Sequence, residues 1–202
     1  MKRCLYCDQA IEEYLIVQLL QEDDLCVNCR NKLKARLRFV DKNGMRIWYL
    51  YSYDEFFARL LLQYKEGHDE ALKDVFLYPY GCIFSFLFKK YQIIYVPSSK
   101  QKTLSRGFLP MRLIMDKYKP KEYCEVKMHQ ELIQENKSLD ERKKMIDNYE
   151  LEKVIKKDSH IMLVDDVCTG GSSLLGVYKH LKKYTKHIIV FSLALVHQQS
   201  TK

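Results

Sequence analysis

The sequence predicts an α/β protein in which a parallel sheet is flanked by helices and preceded by a small four-cysteine unit. Apolar runs at residues 93–96, 161–164 and 187–196 are typical of buried strands. Stretches with apolar residues at helical spacing separate these runs, and strands that alternate with helices predict βαβ units. Two Cys-x-x-Cys pairs stand close to the N-terminus and predict the additional unit.

The two cysteine pairs are Cys4-Leu-Tyr-Cys7 and Cys26-Val-Asn-Cys29, with 18 residues between them. Each pair can place two thiolates on one turn, and two such turns complete a tetrahedral zinc site with no open position. Four protein ligands favour a structural zinc ribbon, because about 30 residues cannot build a core without such support. A redox Cys-x-x-Cys and a pair of disulfides are the alternatives. The other cysteines are expected to be buried apolar residues; they are Cys82, Cys124 and Cys168.

Length and composition indicate a globular protein of 202 residues with a hydrophobic fraction of 47%. This length has room for one α/β domain and a small appendage, and this hydrophobic fraction excludes a disordered chain. No apolar segment follows the basic residues at positions 2 and 3, and no apolar run is long enough to span a bilayer. The odd number of cysteines favours a reducing compartment. We therefore expect a cytoplasmic protein without a membrane span.

Positive charge is concentrated between residues 30 and 46, where seven basic residues accompany one acid. Such a tract indicates contact with phosphate or nucleic acid, and a solvated helix face is the alternative. Leu33, Leu37 and Val40 fall at helical spacing and predict an amphipathic connector. Asn43-Gly44 is a turn signal and a plausible domain boundary, which divides the chain into residues 1–44 and 45–202. The candidate nucleic-acid residues in the tract are Arg30, Lys32, Lys34, Arg36 and Arg38.

The segment with the clearest chemistry is residues 160–173, HIMLVDDVCTGGSS. Asp165 and Asp166 follow the apolar run, at the carboxyl edge of a parallel sheet where ligands bind. The small residues that come next let backbone N–H groups approach a ligand, and a helix is expected to begin there with Ser172 or Ser173 as its N-cap. Amides and a helix dipole suit a phosphate, and paired carboxylates accept hydrogen bonds from ribose hydroxyls. An ordinary strand, turn and helix with a solvated acidic pair is the alternative.

Two further segments carry charged residues that can serve the same site. Lys100, Lys102 and Arg106 follow the strand at residues 93–96, where cations can hold pyrophosphate or a nucleic-acid backbone. Residues 134–148 form a polar segment that includes Arg142 and is typical of a mobile loop that closes over a ligand or of a plain surface connection. Lys65 and Asp69, around Gly67, are consistent with a surface turn.

Residues 160–173 resemble the phosphoribosyl pyrophosphate (PRPP) loop of type I phosphoribosyltransferases. The resemblance implies that Asp165 and Asp166 hold the ribose. It also implies that residues Thr169, Gly170, Gly171, Ser172 and Ser173 hold the 5-phosphate and that Mg²⁺ accompanies PRPP. Many members of that family have Thr at the position of Gly170, so this chain has one hydroxyl fewer in the phosphate loop.

Most of the chain resembles the ComF family of bacterial competence proteins, which join a four-cysteine zinc element to a phosphoribosyltransferase-type domain. The matching features are the two cysteine pairs, the Tyr64-Lys65 to Asp69 segment, Val96-Pro97 with Arg106-Gly107-Phe108, residues 134–142, and Val164-Asp165-Asp166-Val167. The family usually continues Arg-Gly-Phe with Asn, whereas Leu109 follows here. The resemblance implies a role in natural transformation, with incoming single-stranded DNA, the DNA-import helicase and recombination mediators as partners.

These observations support three hypotheses about function. The first is a competence protein that handles single-stranded DNA on a PRPP-binding fold, with bases stacked on aromatic side chains. The second is an active phosphoribosyltransferase in which Asp165 and Asp166 position the ribose and Lys100, Lys102 or Arg106 stabilise the leaving group. The third is a zinc-ribbon adaptor that docks a protein partner and has lost the use of the site. The sequence identifies no acceptor pocket, so no acceptor is predicted.

Overall fold

The computed structural model describes residues 2–11, 24–67, 69–97, 104–120, 122–128, 149–151, 155 and 158–197. These residues form one seven-stranded sheet with helices on both faces, which confirms the predicted α/β class. The strands are β1 (Arg38–Lys42), β2 (Met45–Ser52), β3 (Gln92–Tyr95), β4 (Tyr123–Met128), β5 (Tyr149–Leu151), β6 (Ile161–Cys168) and β7 (Ile188–Leu195). The main helices are α1 (Val27–Leu33), α2 (Glu55–Glu66), α3 (Gly81–Lys90), α4 (Pro110–Asp116) and α5 (Ser172–Leu181).

The strands follow the order β1-β2-β7-β6-β3-β4-β5, and the five central strands from β2 to β4 run parallel. The first and last strands of the order pair antiparallel with their neighbours. The first four residues of β6 are all buried, because this central strand is covered on both faces. Parallel strands with two covered faces are expected to be continuously apolar, and the run from Ile161 to Val164 has this character.

Two apolar cores lie on the two faces of the sheet. Met162 and Val164 of β6 belong to the larger core, which also contains apolar residues of α1 to α4. Ile161 and Leu163 alternate to the other face and pack with residues of α5. Cys4, Cys26 and Cys29 belong to the larger core, so the N-terminal unit packs on the same face of the sheet as α2.

Helix α2 begins at a side-chain cap. Asp54 Oδ1 accepts a hydrogen bond from the Phe57 backbone N–H at 2.8 Å. The helix then buries one stripe of apolar side chains, which consists of Phe57, Leu60, Leu61 and Tyr64. The Tyr64 hydroxyl donates a hydrogen bond to the Pro110 carbonyl at 2.8 Å and thereby joins α2 to the start of α4.

The predicted amphipathic connector after the cysteine pairs is wrong. Helix α1 ends at Leu33, Lys34 adopts a left-handed conformation, and residues 38–42 form β1 instead. The turn between β1 and β2 is Asn43-Gly44, and both residues have positive φ, 54° and 73°. Two left-handed central residues are typical of a type I′ hairpin, and Asn-Gly is the preferred pair for it. The proposed boundary at residue 44 therefore falls in a turn within the sheet, and the division into two domains stays a prediction.

No helix in the described part of the chain has the length and apolar character needed to cross a bilayer.

Candidate functional site

The acidic pair lies at a point where β6 loses one of its two neighbours. The pairing of β3 with β6 ends at Tyr95 and Val164, whereas β7 stays paired with β6 as far as Cys168. Strand β6 is therefore longer than predicted, and Asp165 and Asp166 lie within it. The missing neighbour leaves a small cavity beside the two carboxylates, which is lined by Tyr95, Val96, Val164 and residues 109–112. This cavity is the cleft that the sheet edge predicts.

Lys65 of α2 forms an ion pair with the acidic pair. Its Nζ contacts Asp166 Oδ2, and the two side chains are only 13% and 24% exposed. The Asp166 backbone N–H donates to Asp165 Oδ1 at 2.9 Å, which holds the Asp165 carboxyl group against the backbone of Asp166. A partly buried ion pair of this kind is screened less by solvent than a surface pair. The site thus holds two carboxylates and one ammonium group.

Asp165 resists ionisation. Burial is the largest cause of its raised pKa and the negative charge of Asp166 adds to it, while the Asp166 amide and the Lys65 ammonium act in the opposite direction. The resulting pKa is about 8, against an ordinary value of 3.8. Below that pH, Asp165 is mostly a neutral hydrogen-bonding group, and a ligand that supplies positive charge would favour its ionised form.

Lys65 thus lies in the site and not in the surface turn that the sequence predicts. A signal was present in the helical periodicity. Lys65 follows Leu61 by four residues and Phe57 by eight, so it falls on the buried stripe of α2. A lysine on an apolar stripe requires a buried counter-charge, and the acidic pair supplies it.

Arg106 is the one predicted pyrophosphate ligand that lies within the described residues. Its guanidinium group pairs with Glu66 Oε1, with an Nε to Oε1 distance of 3.1 Å, and its side chain is 9% exposed. Glu66 directly follows Lys65, so the last turn of α2 contacts both Asp166 and Arg106. The acidic pair and the segment that contains Arg106 are therefore both held by α2. Lys100, Lys102 and Arg142 lie outside the described residues.

The loop after β6 leaves backbone exposed at the start of α5. Thr169 and Gly170 are exposed, and a Cβ at Gly170 would meet no atom within 4 Å. Gly171 has a φ of 77° and is the residue before α5, which begins at Ser172 without a side-chain cap. The prediction that Ser172 or Ser173 caps this helix is therefore wrong: Ser172 is already helical, and a glycine can adopt the left-handed conformation that the turn requires.

Two residues of the β1–β2 hairpin contact this loop. Lys42 Nζ donates to the Thr169 carbonyl at 2.6 Å, and Asn43 Nδ2 donates to the Gly170 carbonyl at 3.2 Å. From the sequence, Lys42 belongs to the basic tract and Asn43 is predicted only as a turn residue. No local pattern could have predicted either contact, because 127 positions separate the partners.

The four N-terminal cysteines form a cluster that can hold a zinc ion. Their sulfur atoms all lie within 4.8 Å of one another, and the Sγ atoms of Cys7 and Cys26 are 3.7 Å apart. Tetrahedral zinc with Zn–S bonds of about 2.3 Å requires sulfur–sulfur distances of about 3.8 Å. The donor set and its spacing therefore fit zinc. The four residues are Cys4, Cys7, Cys26 and Cys29.

The thiols of this cluster have opposed pKa shifts. Burial and the neighbouring thiols raise the pKa of Cys29 far above its ordinary value. Burial also acts to raise the pKa of Cys4, but hydrogen bonds from backbone groups of Cys26, Cys7 and Tyr6 outweigh it and lower the value to about 7. One thiolate is thus favoured beside thiols that resist ionisation, which is expected where a divalent cation would offset the repulsion among four thiolates.

The cysteine cluster packs directly on α2. Gln63 Nε2 donates to the Leu5 carbonyl, between Cys4 and Cys7, at 2.9 Å. The Tyr6 and Phe56 rings lie 4.7 Å apart. Gln63 is two residues from Lys65, so the same helix supports the cysteine cluster and the acidic pair.

Most of the described basic tract is exposed, but its first residue is not. Arg30 is partly buried, with its guanidinium carbon 4.7 Å from the centre of the Tyr78 ring. Phe39, within the tract, is 50% exposed and lies 5.2 Å from the Trp48 ring. The exposed basic residues from position 32 to 38 are Lys32, Lys34, Arg36 and Arg38.

No protein-family model matches the sequence, and no curated protein matches it. Among solved structures, hypoxanthine phosphoribosyltransferase from Staphylococcus aureus is similar over 62% of this chain and 64% of its own, with 9% identity and a TM-score of 0.41. Adenine phosphoribosyltransferase from Saccharomyces cerevisiae is similar over 84% of this chain and 89% of its own, with 16% identity and a TM-score of 0.41. Purine phosphoribosyltransferase from Pyrococcus horikoshii is similar over 61% of this chain and 73% of its own, with 21% identity and a TM-score of 0.32. The likeness concerns fold alone.

We expect the purified protein to contain one zinc ion per chain and the Cys29→Ser variant to lose it. Cys29 is buried within the cluster, so its loss removes a ligand and part of the support of the N-terminal unit. Elemental analysis and thermal unfolding measure both effects. Cys82→Ser is the matched control, because Cys82 is an exposed thiol outside the cluster and the prediction that it is buried is wrong. Full zinc content in Cys29→Ser, or none in the unmodified protein, would contradict the assignment.

We expect Asp165→Asn to stabilise the protein by an amount that grows as the pH rises from about 4 to 8 and then levels off. A carboxyl group with a raised pKa binds its proton more tightly in the folded than in the unfolded chain. The folded state of the unmodified protein therefore loses stability as the pH rises through this range. Asparagine is neutral and keeps the oxygen that accepts from the Asp166 amide. Urea unfolding midpoints between pH 5 and 9 measure the difference. A constant difference across this range would show that Asp165 ionises normally.

Proposed function

We propose that this chain binds PRPP together with Mg²⁺ at the carboxyl end of β6. The observation that carries the proposal is the acidic pair at a point where β6 has lost one neighbouring strand, directly before a glycine loop and the N-terminus of α5. A phosphorylated ribose has vicinal hydroxyls for carboxylates and a phosphate for backbone amides, and the spacing along one strand and loop suits both. The PRPP-loop resemblance supports the same assignment.

Each part of the site would contact a different part of PRPP. Asp165 and Asp166 would accept hydrogen bonds from the ribose hydroxyls, and the loop from Thr169 to Ser173 would hold the 5-phosphate. Arg106, with Lys100 and Lys102, would hold the pyrophosphate once its guanidinium group exchanges Glu66 for the ligand. Charge stabilisation of this kind suits an oxocarbenium-like reaction centre, which requires no nucleophilic side chain.

The acidic pair fits a divalent cation. Asp166 already has the Lys65 ammonium group as a cationic partner, and carboxylate oxygens are ligands that Mg²⁺ prefers. When bound, Mg²⁺ would neutralise charge on the pyrophosphate leaving group. Lys65 would orient the Asp166 carboxylate through their ion pair.

We expect calorimetric titration with PRPP and Mg²⁺ to show binding that weakens at least about tenfold in the Asp165→Asn/Asp166→Asn variant, because hydrogen bonds to charged groups are lost. Asp41→Asn is the matched control, since Asp41 is an exposed acid paired with Arg46. Zinc content and thermal unfolding establish that each variant is folded. Equal binding by the double variant, or no binding by the unmodified protein, would refute the proposed site.

We further propose that this protein handles single-stranded DNA, as the ComF resemblance implies for natural transformation. The resemblance also implies the import helicase and recombination mediators as its partners. The specific observation in favour is the exposed basic tract from Lys32 to Arg38 beside the half-exposed Phe39 ring. Exposed cations can follow a phosphate backbone, and an aromatic ring can stack on a base. A structural zinc in the N-terminal unit would keep this tract in place.

We expect a fluorescent single-stranded oligonucleotide to bind the protein with an affinity that falls steeply as the salt concentration rises. The Arg36→Ala/Arg38→Ala variant should reduce the slope of log K against log salt by about 1.4, which is about 0.7 for each lost phosphate contact. Lys89→Ala/Lys90→Ala is the matched control, because it removes two exposed charges from the end of α3. Equal slopes in both double variants would show that the tract contacts no nucleic acid. That outcome would favour a protein-docking role for the N-terminal unit.

A further inference from the structure

The hairpin contacts with the loop after β6 bear on the orientation of the loop amides. Both contacts use carbonyl groups of the loop as acceptors, at Thr169 and at Gly170. A trans peptide unit is planar, and its C=O and N–H bonds point in opposite directions. Among the described residues, no peptide bond is cis. The N–H groups of Gly170 and Gly171 therefore point away from the hairpin.

These two N–H groups have no protein acceptor among the described residues. Gly170 is exposed, and the space at its Cβ position is open. Two successive amides that point to one side form an anion-binding concavity of the kind that holds phosphate groups. The adjoining N-terminus of α5, a helix of ten residues, adds its own amides and the positive end of its dipole.

The donors that set this orientation are carried on rigid structure. Lys42 is the last residue of β1 and pairs with Met45, while Asn43 is the first residue of the type I′ turn. Strand β2 pairs with β7, which pairs with β6, so the hairpin and the strand that precedes the loop belong to one hydrogen-bonded sheet. A Cβ at Gly171 would lie 3.5 Å from Asn43 Nδ2 and 3.8 Å from Lys42 Cδ, so the hairpin side chains pack closely on the loop.

We propose that Lys42 and Asn43 are positioning residues that orient the Gly170 and Gly171 amides toward the phosphate of a phosphorylated ribose. This inference rests on the proposed PRPP site and adds to it two residues from a separate part of the chain. It also gives a role to part of the basic tract: Lys42 serves the phosphate loop, and its positive charge adds to the attraction for a phosphate monoester. The two fixed amides offset the hydroxyl that Gly170 lacks.

The test uses the full zinc-loaded chain, ribose 5-phosphate as the probe, and ribose as the probe without phosphate. Asn43→Gly keeps a residue suited to the left-handed turn and removes the donor without any change of charge. Lys42→Met removes the other donor, and Lys42→Arg restores a cationic donor. Lys89→Met, at the exposed end of α3, is the matched charge control.

We expect Asn43→Gly and Lys42→Met each to weaken ribose 5-phosphate binding by about fivefold to tenfold, the effect of one lost hydrogen bond. Lys42→Arg and Lys89→Met should bind as the unmodified protein does, and ribose should not distinguish the variants. In ¹⁵N–¹H spectra, the Gly170 and Gly171 amide resonances should shift with ribose 5-phosphate in the unmodified protein. Those shifts should shrink in Asn43→Gly while the thermal unfolding midpoint stays within about 2 °C, as expected for a minor stability change.

The outcomes separate this inference from the proposed function. Undiminished binding and unchanged glycine shifts in Asn43→Gly and Lys42→Met, with binding by the unmodified protein, would overturn the positioning role and leave the PRPP site standing. Weakening in Lys42→Met alone would show that charge acts without any orientation of the amides, which also overturns the inference. No binding of ribose 5-phosphate by the unmodified protein would overturn both.

Discussion

The structure depends on the burial of one stripe of α2. Phe57, Leu60, Leu61 and Tyr64 fix this helix in the larger core, and burial of such side chains contributes about 1.5 to 3 kcal/mol each. The same helix contacts the cysteine cluster through Gln63 and the acidic pair through Lys65. Because one rigid helix carries both contacts, the metal cluster and the candidate ligand site are mechanically connected. The cysteine cluster, attached in this way, supports the candidate site even though none of its four residues lines the cavity.

The charges of the site are arranged so that every described ionic group near the cleft has a protein partner. Lys65 pairs with Asp166, Arg106 pairs with Glu66, and Asp165 is kept largely neutral by burial and by the charge beside it. An anionic ligand with a divalent cation would exchange these partners and would not meet isolated buried charges, which are costly. The arrangement explains how a cleft beside two aspartates can remain stable before any ligand arrives.

The β1–β2 hairpin shows why a charged tract cannot be assigned to one surface from its composition. Lys42 contacts the loop after β6, Arg46 pairs with Asp41, and Arg30 stacks on Tyr78, whereas Lys32 to Arg38 remain exposed. Strand pairing is responsible for part of this division: Arg46 lies opposite Asp41 and Met45 lies opposite Lys42, so Arg46 and Lys42 point to opposite faces of the sheet. A tract that appears uniform in the sequence is therefore distributed among four environments.

The sequence by itself determined the α/β class, the cysteine cluster and the order of chemical groups in β6, since apolar runs, Cys-x-x-Cys spacing and the Asp-Asp-to-Ser-Ser segment are local patterns. The tertiary structure alone decided which residues meet at the site. Lys65 reaches Asp166 across 101 positions, and Lys42 reaches Thr169 across 127, and neither distance leaves a local signature. The end of β6 was likewise decided by β7, whose pairing continues to Leu195 after β3 has ended. Local patterns specify which elements form, and long-range packing specifies which of their side chains come into contact.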